Sequence, residues 1–205
     1  MANTHTQGFG LRPIMRVGNT PSIQGQSKYE IASAQAGTLY NGTPVKVDIN
    51  AATGGYIVEA AQGTAMVGTL NGVYYTDGTT SKPTWKNWYV GGTTPANSET
   101  TKAFIIDDPF QEYMIGTNAT LGATVALRQA KVGLTFATTA AAGDDTNGRS
   151  SITLDIASAA TTAKQLRMVR VGENPENQDE TAAYCSVVVK CNLHQYLVGS
   201  LATGI

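Results

Sequence analysis

The spacing of turn residues is the feature that most constrains the fold of this chain. Between residues 28 and 116, short apolar runs are separated by Gly, Pro and Asn-Gly pairs at intervals of roughly 8–12 residues. Asn71-Gly72 lies between two of these runs and predicts a hairpin, because both central residues of a type I′ turn adopt positive φ. Amphipathic periods long enough for helical crossovers are missing. The sequence therefore predicts an all-β fold, an antiparallel β-sandwich or barrel with little helix.

The distribution of proline, glycine and apolar residues divides the chain into three parts. Residues 1–27 hold prolines, glycines and apolar residues without a period, which predicts an extended N-terminal arm, with a disordered tail as the alternative. Residues 28–116 form a first β-rich part. Residues 117–205 form a second β-rich part, packed with the first. In this last part a helical turn within 117–129 is followed by a strand at 151–156 and a C-terminal hairpin.

The charge of the chain limits its partners. Only 14% of its 205 residues are charged, the net charge is −1 and the pI is near 6.1. This balance gives no general electrostatic attraction to nucleic acid or to an anionic membrane. No window approaches the roughly 18–20 apolar residues of a membrane-spanning helix, and the polar opening MANTHTQGFG does not fit a secretory signal. We expect a soluble chain that remains in the cytoplasm in which it is made.

The two cysteines lie on one predicted strand near the C-terminus. Cys185 and Cys191 are six residues apart, which is about 20 Å at roughly 3.3 Å per residue and beyond the ~7 Å Cα limit for a disulfide. Both are expected to be free thiols. His194 is close in sequence, but the ligands are too few for zinc. Residues three apart on a strand also point to opposite faces, which disfavours a Cys191-His194 nucleophile.

Other motifs for catalysis or cofactor binding fail on their spacing. Asp107-Asp108-Pro109 is typical of turn initiation rather than of a catalytic acid pair. The loop 143–148 lacks the first ligand and the final Glu of a calcium-binding loop. Gly8 and Gly10 are followed by Pro13 where a nucleotide-binding motif needs its third glycine. The sequence therefore predicts no enzyme activity, no cofactor and no metal.

One stretch of the chain concentrates large aromatic residues. It contains Tyr74, Tyr75, Trp85, Trp88 and Tyr89. Aromatic residues at this density indicate a sheet core with cross-strand pairs. They are also typical of a contact surface for another protein or a sugar, and in that case Trp85, Trp88 and Tyr89 are the interface residues.

Both ends of the chain carry motifs that resemble a known group of proteins. The opening MANTHTQGFGLRPI resembles the start of a group of tailed-bacteriophage structural proteins that begin with MAN and continue to FGLRP. The segment LRMVRVGENPENQDETAAYCSVVVKCNLHQY, residues 166–196, resembles the C-terminal pattern of that group. That pattern is a strand, an Asn-rich loop and a final strand. The middle of the chain has no such counterpart. In such phages these proteins look like capsid decoration (cement) proteins.

The resemblance implies a place in the virion. It implies a protein made in the host bacterial cytoplasm that binds the major capsid protein on the outer capsid surface, as a homo-oligomer and commonly a homotrimer. Phe9, Leu11, Arg12 and Pro13 are the expected capsid-binding residues, because apolar side chains on an arm that cannot fold alone need a partner. Deleting residues 1–13 is then expected to leave the fold almost unchanged and to reduce binding.

Two other functions fit the same sequence. The first is a carbohydrate-binding head or tail fibre module with Trp85, Trp88 and Tyr89 as a stacking platform, and with Asp107 or Asp108 for any acid chemistry. The second is a tail-tube or head–tail connector subunit, which forms a ring with its termini buried between subunits.

Overall fold

The computed structural model describes residues 3–4, 6–18, 25–50, 54–172 and 174–197. The molecule is mostly β, with 38% strand and 6% helix in two antiparallel sheets, which is consistent with a β-sandwich. The predicted all-β fold with little helix is therefore confirmed. Residues 19–24 of the expected arm and residues 198–205 of the second β-rich part lie outside the described residues.

The described residues form eleven strands and one short α-helix. The strands are β1 (Arg12–Arg16), β2 (Ser27–Ile31), β3 (Pro44–Val47), β4 (Ile57–Glu59), β5 (Gly68–Thr76), β6 (Pro83–Lys86), β7 (Thr101–Ile106), β8 (Gln111–Gly116), β9 (Thr135–Phe136), β10 (Leu166–Val171) and β11 (Ser186–Cys191), and the helix is α1 (Val125–Gln129).

The five-stranded sheet has the order β1-β8-β11-β10-β9, with every neighbouring pair antiparallel. The predicted C-terminal hairpin is present as β10 and β11. Part of the expected arm also belongs to this sheet, since β1 pairs with β8. Pro13 has no N–H to donate and is tolerated in β1 because this strand lies at the sheet edge. The segment expected to be an arm is thus, over residues 12–16, an edge strand of the fold.

The six-stranded sheet has the order β2-β7-β5-β3-β4, with β6 paired to the second half of β5. It is built from the middle of the chain, the part without a counterpart in the phage group. The two sheets meet where the chain turns from β7 into β8. There the Tyr113 hydroxyl of β8 donates to the Ile106 carbonyl oxygen of β7 at 3.1 Å.

The hairpin predicted at Asn71-Gly72 is wrong. These residues lie inside β5, which runs for nine residues, and the pairing of β5 with β7 shifts register between Leu70 and Gly72. Asn71 is therefore the extra residue of a β-bulge. A Cβ atom at position 72 would lie only 2.5 Å from Cζ2 of Trp85, so glycine is needed there to let the indole cover the strand. Local turn chemistry and this long-range contact favour the same residue type.

Each sheet buries one face in its own apolar cluster. The cluster of the six-stranded sheet includes Ile31, Val45, Val73 and Ile105. The cluster of the five-stranded sheet is larger, and its members are Leu11, Ala60, Met66, Tyr113, Ile115, Leu121, Phe136, Ile152, Leu154, Ile156, Leu166, Met168, Cys185, Val187, Val189 and Cys191. Loops between β8 and β10 supply much of this second cluster.

The strand predicted at 151–156 is wrong, although its apolar side chains are buried as a strand pattern would require. Leu154 makes only single bridges, to Thr117 and to Thr138. The segment is therefore a loop that covers the five-stranded sheet. The helical turn predicted within 117–129 is present as α1, and the Thr124 hydroxyl caps it by accepting from the Leu127 N–H at 3.3 Å.

Candidate functional site

The four predicted capsid-binding residues do not form one exposed patch. Leu11 is 1% exposed and belongs to the core of the five-stranded sheet. Phe9 and Pro13 are half-buried, and Phe9 packs on Gly116, where a Cβ atom would lie 3.4 Å from the ring. Arg12 is exposed. The expectation that Leu11 faces a partner is thus corrected, because the chain buries this side chain itself.

The glycines beside Phe9 fix this segment against the rest of the molecule. A Cβ atom at Gly8 would lie 2.1 Å from the Ser151 carbonyl oxygen, and one at Gly10 would lie 2.7 Å from Ser150 Cβ. Gly10 also has φ of +70°, a conformation that L side chains rarely adopt. The Gly-Phe-Gly sequence is therefore explained by close packing within the chain.

The first described residues bind the loop between β10 and β11. The Asn3 side-chain amide donates to the carbonyl oxygens of Asp179 (3.0 Å) and Ala183 (2.8 Å), and its oxygen accepts from the Asp179 N–H (2.9 Å). The Thr4 N–H donates to Oδ1 of the buried Asn177 at 2.9 Å. The two segments that carry the phage resemblance are thus hydrogen-bonded to each other.

The aromatic cluster is divided between core and surface. Tyr75 and Tyr89 are buried in the core of the six-stranded sheet. Trp88 is half-buried and stacks on Tyr40, with ring centroids 5.5 Å apart and planes 8° apart. Trp85 is 53% exposed. Of the three predicted interface residues, Trp85 alone therefore lies open on the surface.

Two aromatic residues on the same sheet face flank Trp85: the exposed Tyr74 and the half-buried Phe104. We call the group of Tyr74, Trp85 and Phe104 the aromatic face. Tyr74 is 41% exposed and is the direct cross-strand partner of Trp85. The Phe104 ring is tilted against Trp85, with centroids 5.1 Å apart. The sequence pointed to Trp85 but missed Phe104, which lies on a neighbouring strand of the sheet rather than in the same run of residues.

The carboxylates and the histidine considered for catalysis are engaged in the fold. Asp107 accepts from the hydroxyls of Ser27 (3.0 Å) and Tyr29 (2.7 Å). Asp108 pairs with Arg16 Nε at 2.7 Å. His194 accepts from the Tyr196 N–H at Nδ1 (3.2 Å) and lies 3.2 Å from the Asp107 carbonyl oxygen at Nε2. The contact of His194 with Asp107 joins the segment after β11 to the turn between β7 and β8.

The two cysteines are free and buried. Burial raises the pKa of the Cys185 thiol to about 11 and that of the Cys191 thiol to about 12. Both groups therefore remain protonated near neutral pH and are poor nucleophiles. Among the described residues, no group of three or more His, Cys, Asp or Glu side chains is placed to hold a metal ion. No helix in that part of the chain is long and apolar enough to cross a bilayer.

A pair of arginines lies on a surface depression that the sequence did not indicate. Arg12 of β1 sits over the Phe9 ring, with the guanidinium carbon 5.3 Å from the ring centroid. Arg149, from the loop after Gly148, lines the same depression. Burial and the positive charge of Arg149 both lower the pKa of Arg12. We call this depression, lined also by Ser151, the arginine groove.

No family model, curated protein or solved structure matches this chain.

Proposed function

We propose that this chain is a virion structural protein of a tailed bacteriophage, which binds the assembled capsid shell on its outer surface and stabilises it as a cement protein. The partner is the major capsid protein, and the chain acts as a homo-oligomer, with a trimer preferred. It carries out no reaction, because a cement protein needs only affinity and shape.

The observation that carries this proposal is the meeting of the two phage-like segments. The opening motif contributes β1, and the C-terminal motif contributes β10 and β11 of the same sheet. Asn3 and Thr4 add direct hydrogen bonds to the loop between β10 and β11. The two motifs, from opposite ends of the sequence, thus belong to one structural unit. This supports a similarity of fold to the phage group rather than a chance match of two short sequences.

The physical role follows from mass action. A ligand that binds the assembled shell and not its separated subunits shifts the equilibrium toward assembly, as any ligand specific to a native state does. The balanced charge of this chain suits binding to protein rather than to the packaged nucleic acid. The stabilisation grows with the concentration of the chain until its sites on the shell are filled.

Co-sedimentation tests the proposal. The purified chain is mixed with emptied, expanded heads of the phage that encodes it, and separately with unassembled major capsid protein. We expect the chain to pellet with the heads in a saturable manner and to show no binding to the unassembled protein. Absence from the head pellet at micromolar concentration would contradict the proposal, and equal binding to unassembled subunits would contradict the cement mechanism.

A second candidate function, binding of carbohydrate, is favoured by the aromatic face. Tyr74 and Trp85 are exposed side by side on a sheet, and Trp85 is supported from beneath by Gly72. Such a flat, preformed apolar surface suits stacking against a sugar ring, and neighbouring polar groups such as Lys102, which pairs with Glu30 at 2.6 Å, offer hydrogen bonds.

The chain allows a direct test of this second function. It contains only two tryptophans, so Trp88→Phe leaves Trp85 as the single fluorescent tryptophan on the aromatic face. Carbohydrate binding predicts a saturable change in its emission with bacterial surface polysaccharides. Tyr74→Ala should weaken that response, whereas Phe110→Ala, which removes an exposed aromatic outside this face, should not. An emission unchanged by every glycan would exclude this function.

A further inference from the structure

The arginine groove brings together two positive charges that the fold does not neutralise. Within the described residues, the ion pairs are those of Arg16, Lys102, Arg128 and Arg170, and neither Arg12 nor Arg149 forms one. Like charges placed close together repel each other, and each guanidinium retains its hydrogen-bond donors for an oxyanion. An arrangement of this kind is stabilised when an anion binds between the two groups.

The backbone around both arginines is held in place. Arg12 lies over the Phe9 ring and follows the closely packed Gly10. Arg149 is flanked by two backbone hydrogen bonds to Asn41, which donates to the Gly148 carbonyl oxygen and accepts from the Ser150 N–H, both at 2.9 Å. A ligand entering the groove therefore meets two preorganised strands of backbone and orders little more than two side chains.

One carboxylate, that of Asp144, also lines the arginine groove, and its side chain is hydrogen-bonded within its own loop. Asp144 accepts from the Thr146 N–H at 2.8 Å and from the Asn147 side-chain amide at 2.5 Å. It makes no ion pair with Arg149. The two arginines outnumber this one acid, so the groove has a net positive charge although the whole chain has a net charge of −1.

We propose that the arginine groove binds a carboxylate side chain of an acidic segment on the capsid shell, with Arg12 and Arg149 as its two ligands. This inference rests on the proposed function. Charge complementarity selects an acidic partner, and paired guanidinium groups favour carboxylate or phosphate oxygens. The outer surface of a shell consists of protein, and the nucleic acid lies inside. The oxyanion that reaches the groove is therefore a carboxylate of the shell rather than a phosphate of the nucleic acid. The proposed site therefore extends the contact predicted at Arg12 to a second residue, Arg149, from a distant part of the chain.

The first arm of the test examines the groove without any capsid. Melting temperatures of the full chain are compared in sodium sulfate and in sodium chloride of equal ionic strength, because sulfate is a small oxyanion probe and matched ionic strength removes general screening. The variants are Arg12→Gln, Arg149→Gln and the charge-matched control Lys82→Gln. Sulfate also stabilises proteins generally, so the control measures that background.

We expect the wild type and Lys82→Gln to gain about 2–4 °C more from sulfate than either arginine variant does. Arg149→Glu places a carboxylate beside Arg12, so it should raise the melting temperature in chloride and abolish the specific sulfate response. Equal responses in all variants would overturn the groove as an oxyanion site.

The second arm measures co-sedimentation with heads for the same variants. Each arginine variant should bind at least tenfold more weakly than the wild type, and Lys82→Gln should bind as the wild type does. A specific sulfate response combined with unchanged head binding would overturn the capsid carboxylate as the ligand while leaving the proposed function intact. If the wild type itself fails to bind heads, the proposed function and the capsid ligand both fail, and the sulfate response alone would then establish only an oxyanion site.

Discussion

Single residues of the opening motif have roles in the fold that their sequence did not reveal. Asn3 binds the backbone of the loop between β10 and β11, Gly8 and Gly10 allow close backbone approach, and Leu11 fills the core. Among the described residues of this stretch, only Arg12 is both exposed and charged. The described residues of the opening motif are therefore mostly explained by folding, and fewer side chains remain for the proposed contact with a partner.

Substitution at Gly10 tests this packing. Gly10→Ala should destabilise the protein by about 2–4 kcal/mol, because alanine is strained at positive φ and its Cβ would clash with Ser150. This corresponds to a melting temperature lowered by roughly 4–16 °C for a chain of this size. Gly37→Ala is the matched control, since position 37 has no atom within 4 Å of an added Cβ. Equal melting temperatures for the two variants would contradict the packing described for Gly10.

His194 gives the protein a pH-dependent stability. Burial lowers the pKa of His194 below its ordinary value of 6.5, and its Nδ1 accepts a hydrogen bond that the protonated ring cannot accept. The unfolded chain therefore takes up a proton before the folded chain does. The contribution of His194 to stability is complete above pH 6.5 and is lost as the pH falls below that value through the lower, folded pKa.

Urea unfolding at a series of pH values measures this effect. We expect the free energy of unfolding of the wild type to fall between pH 7 and pH 5, and the fall to be smaller in His194→Gln, which has no titratable ring. The same pH dependence in both proteins would show that other groups cause it.

At the scale of elements, the sequence predicted the type of structure better than its connections. Turn spacing indicated the β-rich part at 28–116 correctly, and alternation indicated the C-terminal hairpin that forms β10 and β11, because these runs are apolar and bounded by turn residues. β1 was missed because Pro13 and the neighbouring glycines resemble a linker, and only pairing with β8 makes the segment a strand. Asn71-Gly72 was misread because turn propensity is local, whereas the Trp85 ring that requires Gly72 comes from another strand.

The integration of β1 changes the expected result of removing the opening segment. Deleting residues 1–13 should now destabilise the fold, since it removes Leu11 and the start of β1. A point substitution separates the contribution of the Leu11 side chain from that of the deleted backbone. Leu11→Ala should lower the free energy of unfolding by about 2–5 kcal/mol, as for other fully buried leucines. Val17→Ala, at a side chain that is 39% exposed, should cost less than about 1 kcal/mol. Thermal melts compare the two variants. An unchanged melting temperature of Leu11→Ala would contradict the core role of Leu11 and favour the original prediction that it contacts a partner.

In the molecule as a whole, the two sheets carry different candidate binding surfaces. The five-stranded sheet collects the phage-like segments and the arginine groove, whereas the six-stranded sheet carries the aromatic face. The sequence could not place the groove, because long-range backbone hydrogen bonds bring Arg12 and Arg149 together. The Leu11 N–H donates to the Gly42 carbonyl oxygen, and the adjacent Asn41 bonds to the backbone on both sides of Arg149. It indicated the aromatic face only in part, since burial of Tyr89 and stacking of Trp88 are decided by tertiary packing.

We predict that the protein is a homo-oligomer, because the aromatic face is an apolar surface of the kind that association covers. The resemblance to the phage group makes a trimer the preferred state. Light scattering of the purified chain should give about three times the mass of one chain, and negative-stain images should show a compact particle. A monomer at all concentrations would contradict the prediction. A ring with an open channel would instead favour the tail-tube or connector function.

The stabilising role proposed for this chain can be measured as a change in the temperature at which DNA-filled heads release their DNA. Heads lacking the chain are heated with and without saturating purified protein, and release is followed by the fluorescence of a DNA-binding dye. We predict a higher release temperature when the chain is bound, a gain that rises with its concentration and levels off when the sites are filled. A release temperature that does not change while the chain is shown to be bound would contradict a stabilising role.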